Sequence, residues 1–115
     1  MSTVERDGET HPPLTPAVFH ILLALADGEL HGYAIMRAVE DATSSAMKMG
    51  PGTIYGSLQR MEEAGLVEDR GPAEKGRRRL YGMTERGMMV LEAESARLAR
   101  LSDMVREKGL VPRGV

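Results

Sequence analysis

The stretch from Gly50 to Leu66 constrains the fold most, because residues that start and stop helices stand at its two ends. Pro51 is favourable in a first helical turn, where its missing N–H would have no partner, and Gly65 can end a helix in a left-handed conformation. The apolar positions between them recur at the spacing of one buried stripe: Ile54, Leu58 and Met61. The pattern predicts an amphipathic helix of about 13 residues.

The outer face of this predicted helix is polar, partly small and mostly uncharged. A glycine lets another surface approach closely, and hydroxyl and amide side chains can hydrogen-bond to phosphates or base edges. We therefore expect the helix to contact nucleic acid through Thr53, Tyr55, Gly56, Gln59 and Arg60. A solvated face is the simpler alternative. The Tyr55 ring could equally pack between helices, and Glu63 could neutralise Arg60.

Positive charge is concentrated in one short stretch of this chain. The 115 residues carry a net charge of −2, yet the stretch from Arg70 to Arg79 holds five basic residues and one acidic residue. Such one-sided concentration is the footprint of phosphate binding, although a solvated strand edge is the alternative. We expect DNA phosphates to contact four residues of this cluster: Lys75, Arg77, Arg78 and Arg79.

Length and composition exclude several classes of function. One domain of this size is small for an enzyme with a built pocket. The chain has no cysteine, and its three histidines lack metal-ligand spacing. No nucleophile motif is present, so we expect no enzyme activity, no metal and no cofactor. No apolar run is long enough to cross a membrane and no signal peptide is recognisable, so we expect a cytoplasmic protein that does not contact membranes.

Two further helices are predicted before the opening stretch. Residues 1–14 contain too little apolar surface to order, so we expect a disordered tail. Thr15 and Pro16 then begin a helix that is apolar nearly all round. A second, amphipathic helix is predicted from Gly32, after a very short strand at Glu29-Leu30. Two short helices joined by a turn, the second polar outside, are what a helix-turn-helix requires.

A strand, a turn and a second strand follow the opening stretch. Leu66 to Arg70 and Arg77 to Met83 are predicted strands, and Gly71-Pro72 and Gly76 interrupt their pairing. This β-hairpin is typical of a wing. The sequence therefore predicts a mainly α protein with a small β-hairpin, in which residues 15–83 form a winged helix-turn-helix domain.

The longest predicted helix follows the wing. Thr84 caps it, and Gly109 ends it. Its apolar positions are spaced by three, four and seven residues, with charges of both signs on the flanks. Exposed leucines on a helix that outruns a small domain are costly unless a second copy covers them. We expect residues 84–109 to hold a homodimer together through Met88, Leu91, Leu98, Leu101 and Val105.

The last residues, 110–115, are expected to form a tail. The run from Leu110 to Gly114 resembles a thrombin-cleavage linker, whereas Val115 in place of serine leaves a native origin open. No function is assigned to this segment.

Several short motifs, in this order and spacing, resemble the PadR family of bacterial transcriptional regulators. They are Thr15-Pro16, His31-Gly32-Tyr33, Gly52-Thr53-Ile54-Tyr55, the run from Leu58 to Leu66, the run from Gly76 to Tyr81, and Thr84-Glu85-Arg86-Gly87. The resemblance covers Leu14 to Lys108. It implies a winged helix-turn-helix repressor that binds a pseudo-palindromic DNA operator as a homodimer, with its C-terminal helix making the dimer.

The resemblance also implies roles for individual residues. It places Thr53 and Tyr55 at the DNA backbone or groove, with Ser57 and Gln59 nearby and the run from Arg77 to Arg79 along the flanking phosphates. Many members also bind a small aromatic or drug-like effector. Members that hold flat aromatic drugs do so with aromatic residues at the dimer centre, but this chain has no tryptophan, one phenylalanine and three tyrosines. The effector of this chain therefore stays unassigned.

A second class of function is compatible with the same residues. A winged-helix module can serve protein assembly, with the polar helix face and the basic wing contacting an acidic protein partner instead of DNA. The basic cluster from Lys75 to Arg79 discriminates between the two functions. Its removal should abolish retention on DNA if the protein is a DNA-binding regulator, whereas a protein-assembly module would show no such loss.

Overall fold

Four helices and three strands make up the part of the chain that the structure describes. The structure is a computed structural model, and it describes residues 13–72 and 79–111. In chain order the elements are α1 (Pro16–Leu25), β1 (Leu30–His31), α2 (Gly32–Ala42), α3 (Pro51–Glu63), β2 (Val67–Pro72), β3 (Arg79–Met83) and α4 (Glu85–Glu107). The predicted mainly α, winged-helix fold is confirmed, and no helix in the described ranges is long and apolar enough to cross a membrane.

The first helix begins at the predicted threonine-proline pair. Thr15 Oγ1 accepts a hydrogen bond from the backbone N–H of Val18 at 3.2 Å, and Pro16 occupies the first turn. Contacts with α2, α4 and β3 cover the helix on several sides, as its apolar composition requires. Ile21 is fully buried, whereas Leu23 remains 42% exposed.

The predicted disordered tail lies mostly outside the described residues. Residues 1–12 are not among them, but Pro13 and Leu14 are. Leu14 is half-buried and packs against the hydrophobic core. The tail prediction is therefore wrong for Leu14, because its side chain finds apolar surface beside α1 that the sequence pattern did not show.

The turn that directly follows α2 is formed by residues other than glycine. Thr43 Oγ1 donates to the carbonyl of Val39 at 2.9 Å and accepts from the N–H of Met47 at 3.1 Å. Ser44 and Ser45 both have positive φ, 52° and 67°, a conformation that non-glycine residues rarely adopt. The threonine side chain thus holds the chain through a tight turn before α3 begins.

The small sheet has strand order β1-β3-β2, and all pairing is antiparallel. β2 continues two residues beyond the predicted end at Arg70, because a bulge lies between Asp69 and Pro72. At the bulge, Gly71 has a φ of 85° and its N–H donates to Asp69 Oδ1 at 2.8 Å. The glycine therefore lies at an irregularity within β2, and the strand ends at Pro72.

The end of α3, the start of β2 and the start of α4 meet at one junction. Gly65 has a φ of 80° and closes α3, while the N–H of Leu66 donates to the carbonyl of Met61 at 2.9 Å. Thr84 Oγ1 donates to the carbonyl of Gly65 at 2.6 Å and accepts from the N–H of Gly87 at 2.9 Å. One hydroxyl therefore caps α4 and binds it to the end of α3.

The long helix α4 belongs to the domain only in its first half. Its buried residues are Gly87, Val90, Leu91 and Glu94. The same helix face continues as Leu98, Leu101 and Val105, but Leu98 and Leu101 are 37% and 40% exposed. The second half of the helix therefore extends beyond the core that covers the first half.

Two glycines in helices should respond to alanine in opposite ways. A Cβ on Gly87 would collide with the carbonyl oxygen of Leu66 and the side chain of Met83, whereas a Cβ on Gly56 would meet only Arg60 Nη1, at 3.6 Å. We expect Gly87→Ala to lower the free energy of unfolding by about 1–3 kcal/mol. Gly56→Ala should raise it by up to about 1 kcal/mol, because alanine favours the helix.

Urea unfolding of the two variants and the natural protein measures both changes. A Gly87→Ala protein as stable as the natural one would contradict the close contact between α4 and the turn that follows α3.

Candidate nucleic-acid interface

Helix α3 turns one face to the core and the other to solvent. Its buried residues are Ile54, Ser57, Leu58 and Met61. Of the predicted DNA-contacting residues, Thr53, Tyr55, Gln59 and Arg60 are exposed and Gly56 is half-buried. A Cβ built on Gly50 or Gly52 would meet no atom within 4 Å. The first turn and the middle of the outer face are therefore open to close approach by a partner.

The first turn of α3 has the properties of an anion site. No side chain of the described residues caps it, and proline occupies its first turn. The N–H groups of a first turn have no partner within the helix, and the helix dipole places partial positive charge there. Since Gly50, Pro51, Gly52 and Thr53 are all exposed, a phosphate can approach this end directly.

Ser57 does not lie on the outer face, so the prediction that it contacts DNA is wrong. The residue is only 6% exposed, and its hydroxyl lies on the flank of α3 that faces α1 and α4. The periodicity of the apolar residues did not reveal this, because a serine carries no hydrophobic signal.

Arg60 is exposed but turns toward the same flank as Ser57. Arg60 Nη2 donates to Ser57 Oγ at 3.4 Å. Glu63 does not neutralise it, because no carboxylate of the described residues forms an ion pair with Arg60. Arg60 therefore lies at the side of the outer face and not at its centre.

Tyr55 packs and remains accessible at the same time. Its ring lies 6.4 Å from the ring of Tyr81, centroid to centroid, and is 46% exposed. A Cβ on Gly32 would lie 2.6 Å from the Tyr55 ring and hydroxyl. The glycine that opens α2 therefore makes room for this tyrosine, whose ring packs against the protein, and its contact with DNA stays a prediction.

Two arginines of the wing contact other residues of the protein. Arg70 donates to Glu29 at 2.8 Å and to the carbonyl of Met83 at 3.0 Å, and its guanidinium covers Gly82. Arg79 is mostly exposed and lies 3.3 Å from Asp69. Arg70 therefore braces the sheet, whereas Arg79 keeps most of its surface free. The other predicted phosphate contacts, Lys75, Arg77 and Arg78, lie outside the described residues.

Tyr81 anchors the inner side of this surface. It pairs with Leu30 in β1 and with Asp69 in β2, and it is 9% exposed. Burial raises the pKa of the Tyr81 phenol above its ordinary value, and the neighbouring carboxylate of Asp69 raises it further. The Tyr81 ring also lies next to the Tyr55 ring, with the two centroids 6.4 Å apart.

The exposed face of α4 is the second surface that the sequence predicted. Met88, Leu98 and Leu101 are exposed and Val105 is half-buried, but Leu91 is only 5% exposed. Leu91 is thus part of the protein's own core, and its assignment to a dimer contact is corrected. Met89 and Met104, 46% and 54% exposed, were not predicted as surface residues of this helix.

An ion pair between a buried glutamate and a half-buried arginine lies between the two halves of α4. Glu94 is 3% exposed, and Arg97 donates to its two carboxylate oxygens at 2.7 and 3.0 Å. This hydrogen bonding raises the pKa of Arg97 above its ordinary value. The sequence pattern gave no sign of a buried acid here, because Glu94 resembles the other charged residues along the helix.

The arrangement of α3, the wing and α4 agrees with a known family. Residues 21–93 match the model of the transcriptional regulator PadR-like family, which is more than half of the chain. The chain belongs to the PadR-like family. Proteins of this family are transcriptional regulators. Within the described residues no group of His, Cys, Asp or Glu could hold a metal ion.

Curated proteins with similar sequences extend the comparison. The PadR-like chain is 47% identical over 90 residues to an uncharacterised 37.1 kDa protein in transposon Tn4556 of Streptomyces fradiae. It is 32% identical over 84 residues to the transcriptional regulator Rv3488 of Mycobacterium tuberculosis. The aligned residues cover 72% of this chain and 76% of that protein. The match to the Streptomyces protein covers 78% of this chain but only 25% of that protein's length.

Solved structures show the same fold. A PadR family transcription regulator from Clostridium difficile superposes with a TM-score of 0.69 and 24% identity, over 81% of this PadR-like chain and 97% of that one. Bacillus subtilis PadR in complex with operator DNA gives a TM-score of 0.60 and 24% identity, over 70% of this chain and 46% of that one.

The buried phenol of this PadR-like protein predicts a loss of stability in alkali. The pKa of Tyr81 is raised in the folded state. The contribution of Tyr81 to the free energy of unfolding is therefore fully present below the ordinary tyrosine pKa of about 10, and this contribution is lost as the pH rises above that value. The free energy of unfolding should therefore fall more steeply above pH 10 in the natural protein than in Tyr81→Phe.

Urea unfolding between pH 8 and 11 measures this difference. Tyr33→Phe is the matched control, because it removes the same hydroxyl from a residue that is 51% exposed. Equal slopes for the natural protein and Tyr81→Phe would show that burial does not hold the phenol neutral.

Proposed function

We propose that this PadR-like protein is a transcriptional repressor that binds a pseudo-palindromic operator as a homodimer. The observation that carries the proposal is the outer face of α3, which is exposed, nearly uncharged and open at two glycines in and before its first turn. Such a face can enter a major groove without a bulky side chain holding the backbone away. The operator complex of Bacillus subtilis PadR supports DNA as the partner.

The residues of α3 have two roles at the DNA. Some contact phosphates and fix the position of the helix, and others contact base edges and give sequence specificity. The uncapped first turn, with Gly52 and Thr53, meets a phosphate, and the Tyr55 hydroxyl donates to the backbone beside it. Gly56 and Gln59 lie further along the outer face and meet base edges. Glutamine can bond to both N6 and N7 of adenine, which makes Gln59 the candidate for specificity.

The basic side chains of the wing supply the electrostatic attraction to DNA phosphates that α3 lacks. Lys75, Arg77, Arg78 and Arg79 lie together in the sequence, and Arg79 projects from β3 with most of its side chain exposed. Asp69 offsets part of the Arg79 charge, but an exposed ion pair of this kind is weak and can exchange for a phosphate. We place these cations on the phosphates that flank the groove.

The second half of α4 pairs two copies. Leu98, Leu101 and Val105 continue the face that Val90 and Leu91 begin, so a second copy can extend the existing core. Two-fold symmetry then sets two α3 helices in successive major grooves, with half-sites about 10 base pairs or a whole number of turns apart. As a DNA-bound regulator, the protein acts in the cytoplasm, and a small-molecule effector releases it.

Removing one wing arginine should make DNA binding less sensitive to salt. Each phosphate contact releases counterions, so we expect Arg79→Ala to reduce the slope of log K against log salt concentration by about one unit. Fluorescence anisotropy with a duplex from the region upstream of the coding sequence measures the slope between about 50 and 200 mM salt. Arg37→Ala is the control, because Arg37 lies on α2 over the Tyr33 ring.

Replacement of Lys75, Arg77, Arg78 and Arg79 together by alanine should abolish retention on DNA while the protein stays folded. Retention at the natural level, or binding that ignores salt, would contradict the proposal and favour a protein partner for this surface.

A further inference from the structure

The side chain of Arg70 connects the three strands of the sheet at the base of the wing. Arg70 belongs to β2, and its Nη2 donates to the carbonyl of Met83 in β3 at 3.0 Å. Its Nη1 donates to Oε2 of Glu29, directly before β1, at 2.8 Å. Because β3 lies between the other two strands, the side chain crosses it to reach Glu29. We call this pair of hydrogen bonds the Arg70 bridge.

A glycine makes room for the crossing. Gly82 of β3 is buried, and a Cβ built on it would collide with the Arg70 guanidinium. Three guanidinium atoms, Cζ, Nη1 and Nε, lie where that side chain would stand. Any larger residue at this position would therefore displace Arg70 from the strand that it crosses.

The charge of Arg70 is paired within the protein. Besides Glu29, the carboxylate of Glu68 lies 3.7 Å from Arg70 Nε. The Arg70 side chain is 34% exposed, whereas that of Arg79 is 60% exposed. Arg70 thus has two carboxylates beside it and less open surface than Arg79. These contacts suit a residue that supports the wing, while Arg79 suits a phosphate contact.

The bridge connects the two surfaces for which we propose DNA contacts. β2 and β3 carry the wing, with its basic cluster from Lys75 to Arg79. β1 leads directly into α2, whose first residue, Gly32, lies against the Tyr55 ring of α3. The Arg70 bridge therefore ties the base of the wing to the strand that leads to α2, and through α2 to α3.

We propose that Arg70 is a positioning residue for DNA binding, which holds the wing in place relative to α3 and does not itself contact a phosphate. This role rests on the proposed function, because it concerns how the two DNA-contacting surfaces are held. Without the bridge the wing has more orientations, and only some of them bring its cations to phosphates while α3 lies in the groove. The pair with Glu29 is partly exposed, and such pairs add little to stability, so variants that lack it stay folded.

Substitutions at Glu29 separate positioning from charge. A carboxylate near DNA repels phosphates, so its removal should strengthen binding if charge alone matters. The bridge predicts the opposite, and Glu29→Ala should weaken binding about fivefold. Glu29→Gln removes the same charge but keeps an oxygen that accepts from Arg70 Nη1, so it should bind within about twofold of the natural protein.

Asp27→Ala is the matched control for Glu29→Ala. Asp27 is exposed in the same turn, and it forms no ion pair with another residue in the described ranges. Its removal changes the net charge as Glu29→Ala does but leaves the bridge intact. We therefore expect Asp27→Ala to bind DNA at least as tightly as the natural protein.

A substitution that changes no charge tests the crossing itself. Gly82→Ala places a methyl group where the guanidinium lies and displaces the Arg70 side chain. It should weaken binding about fivefold, as Glu29→Ala does. In an Arg70→Met protein the bridge is already absent, so Gly82→Ala should have no further effect there. A methyl group that only disturbed the sheet would weaken binding in both proteins.

Fluorescence anisotropy with a duplex from the region upstream of the coding sequence measures these affinities at one salt concentration. Urea unfolding confirms that each full-length variant is folded under the assay conditions. Binding by Glu29→Ala as tight as that of the natural protein, or equal weakening by Gly82→Ala with and without Arg70, would overturn the positioning role and leave the proposed function intact. Absence of DNA binding by the natural protein would instead contradict the proposed function, and the positioning role with it.

Discussion

The junction of Thr84 with Gly65 and Gly87 is the contact on which the arrangement of the functional surfaces depends. The Thr84 hydroxyl donates to the carbonyl of Gly65, just after α3, at 2.6 Å. It also accepts from the N–H of Gly87, in the first turn of α4, at 2.9 Å. The Thr84 N–H also donates to the carbonyl of Leu66 at 3.1 Å, and Gly87 lies against the same carbonyl without room for a methyl group. These short contacts therefore hold the start of α4 against the end of α3.

The junction joins the two helices for which we propose contacts with DNA and with a second copy. α3 presents its polar face at one side, and the uncovered leucines of α4 lie beyond the core on another. If two copies join through α4, the spacing of their two α3 helices follows from the geometry of the junction.

Local signals in the sequence predicted the ends of elements well. Pro51 and Gly65 bound α3, and Thr84 caps α4, because caps and breakers act within a few residues of themselves. The partners of side chains were harder to predict. Arg70 was counted with the basic cluster, but it pairs with Glu29, 41 residues away, and no local pattern reports such a contact. Ser57 and Leu91 were misplaced for the same reason, since periodicity predicts a face without saying what covers it.

Hydroxyl-radical footprinting on the DNA upstream of the coding region tests the central claim, that two copies place α3 in successive major grooves. The natural protein should protect two segments on one face of the duplex, with centres about 10 base pairs or a whole number of turns apart. Leu101→Glu, which places a charge on the exposed half of α4, should stay folded and lose the paired protection. A single protected segment for the natural protein, two segments on opposite faces of the duplex, or paired protection by Leu101→Glu would contradict the account.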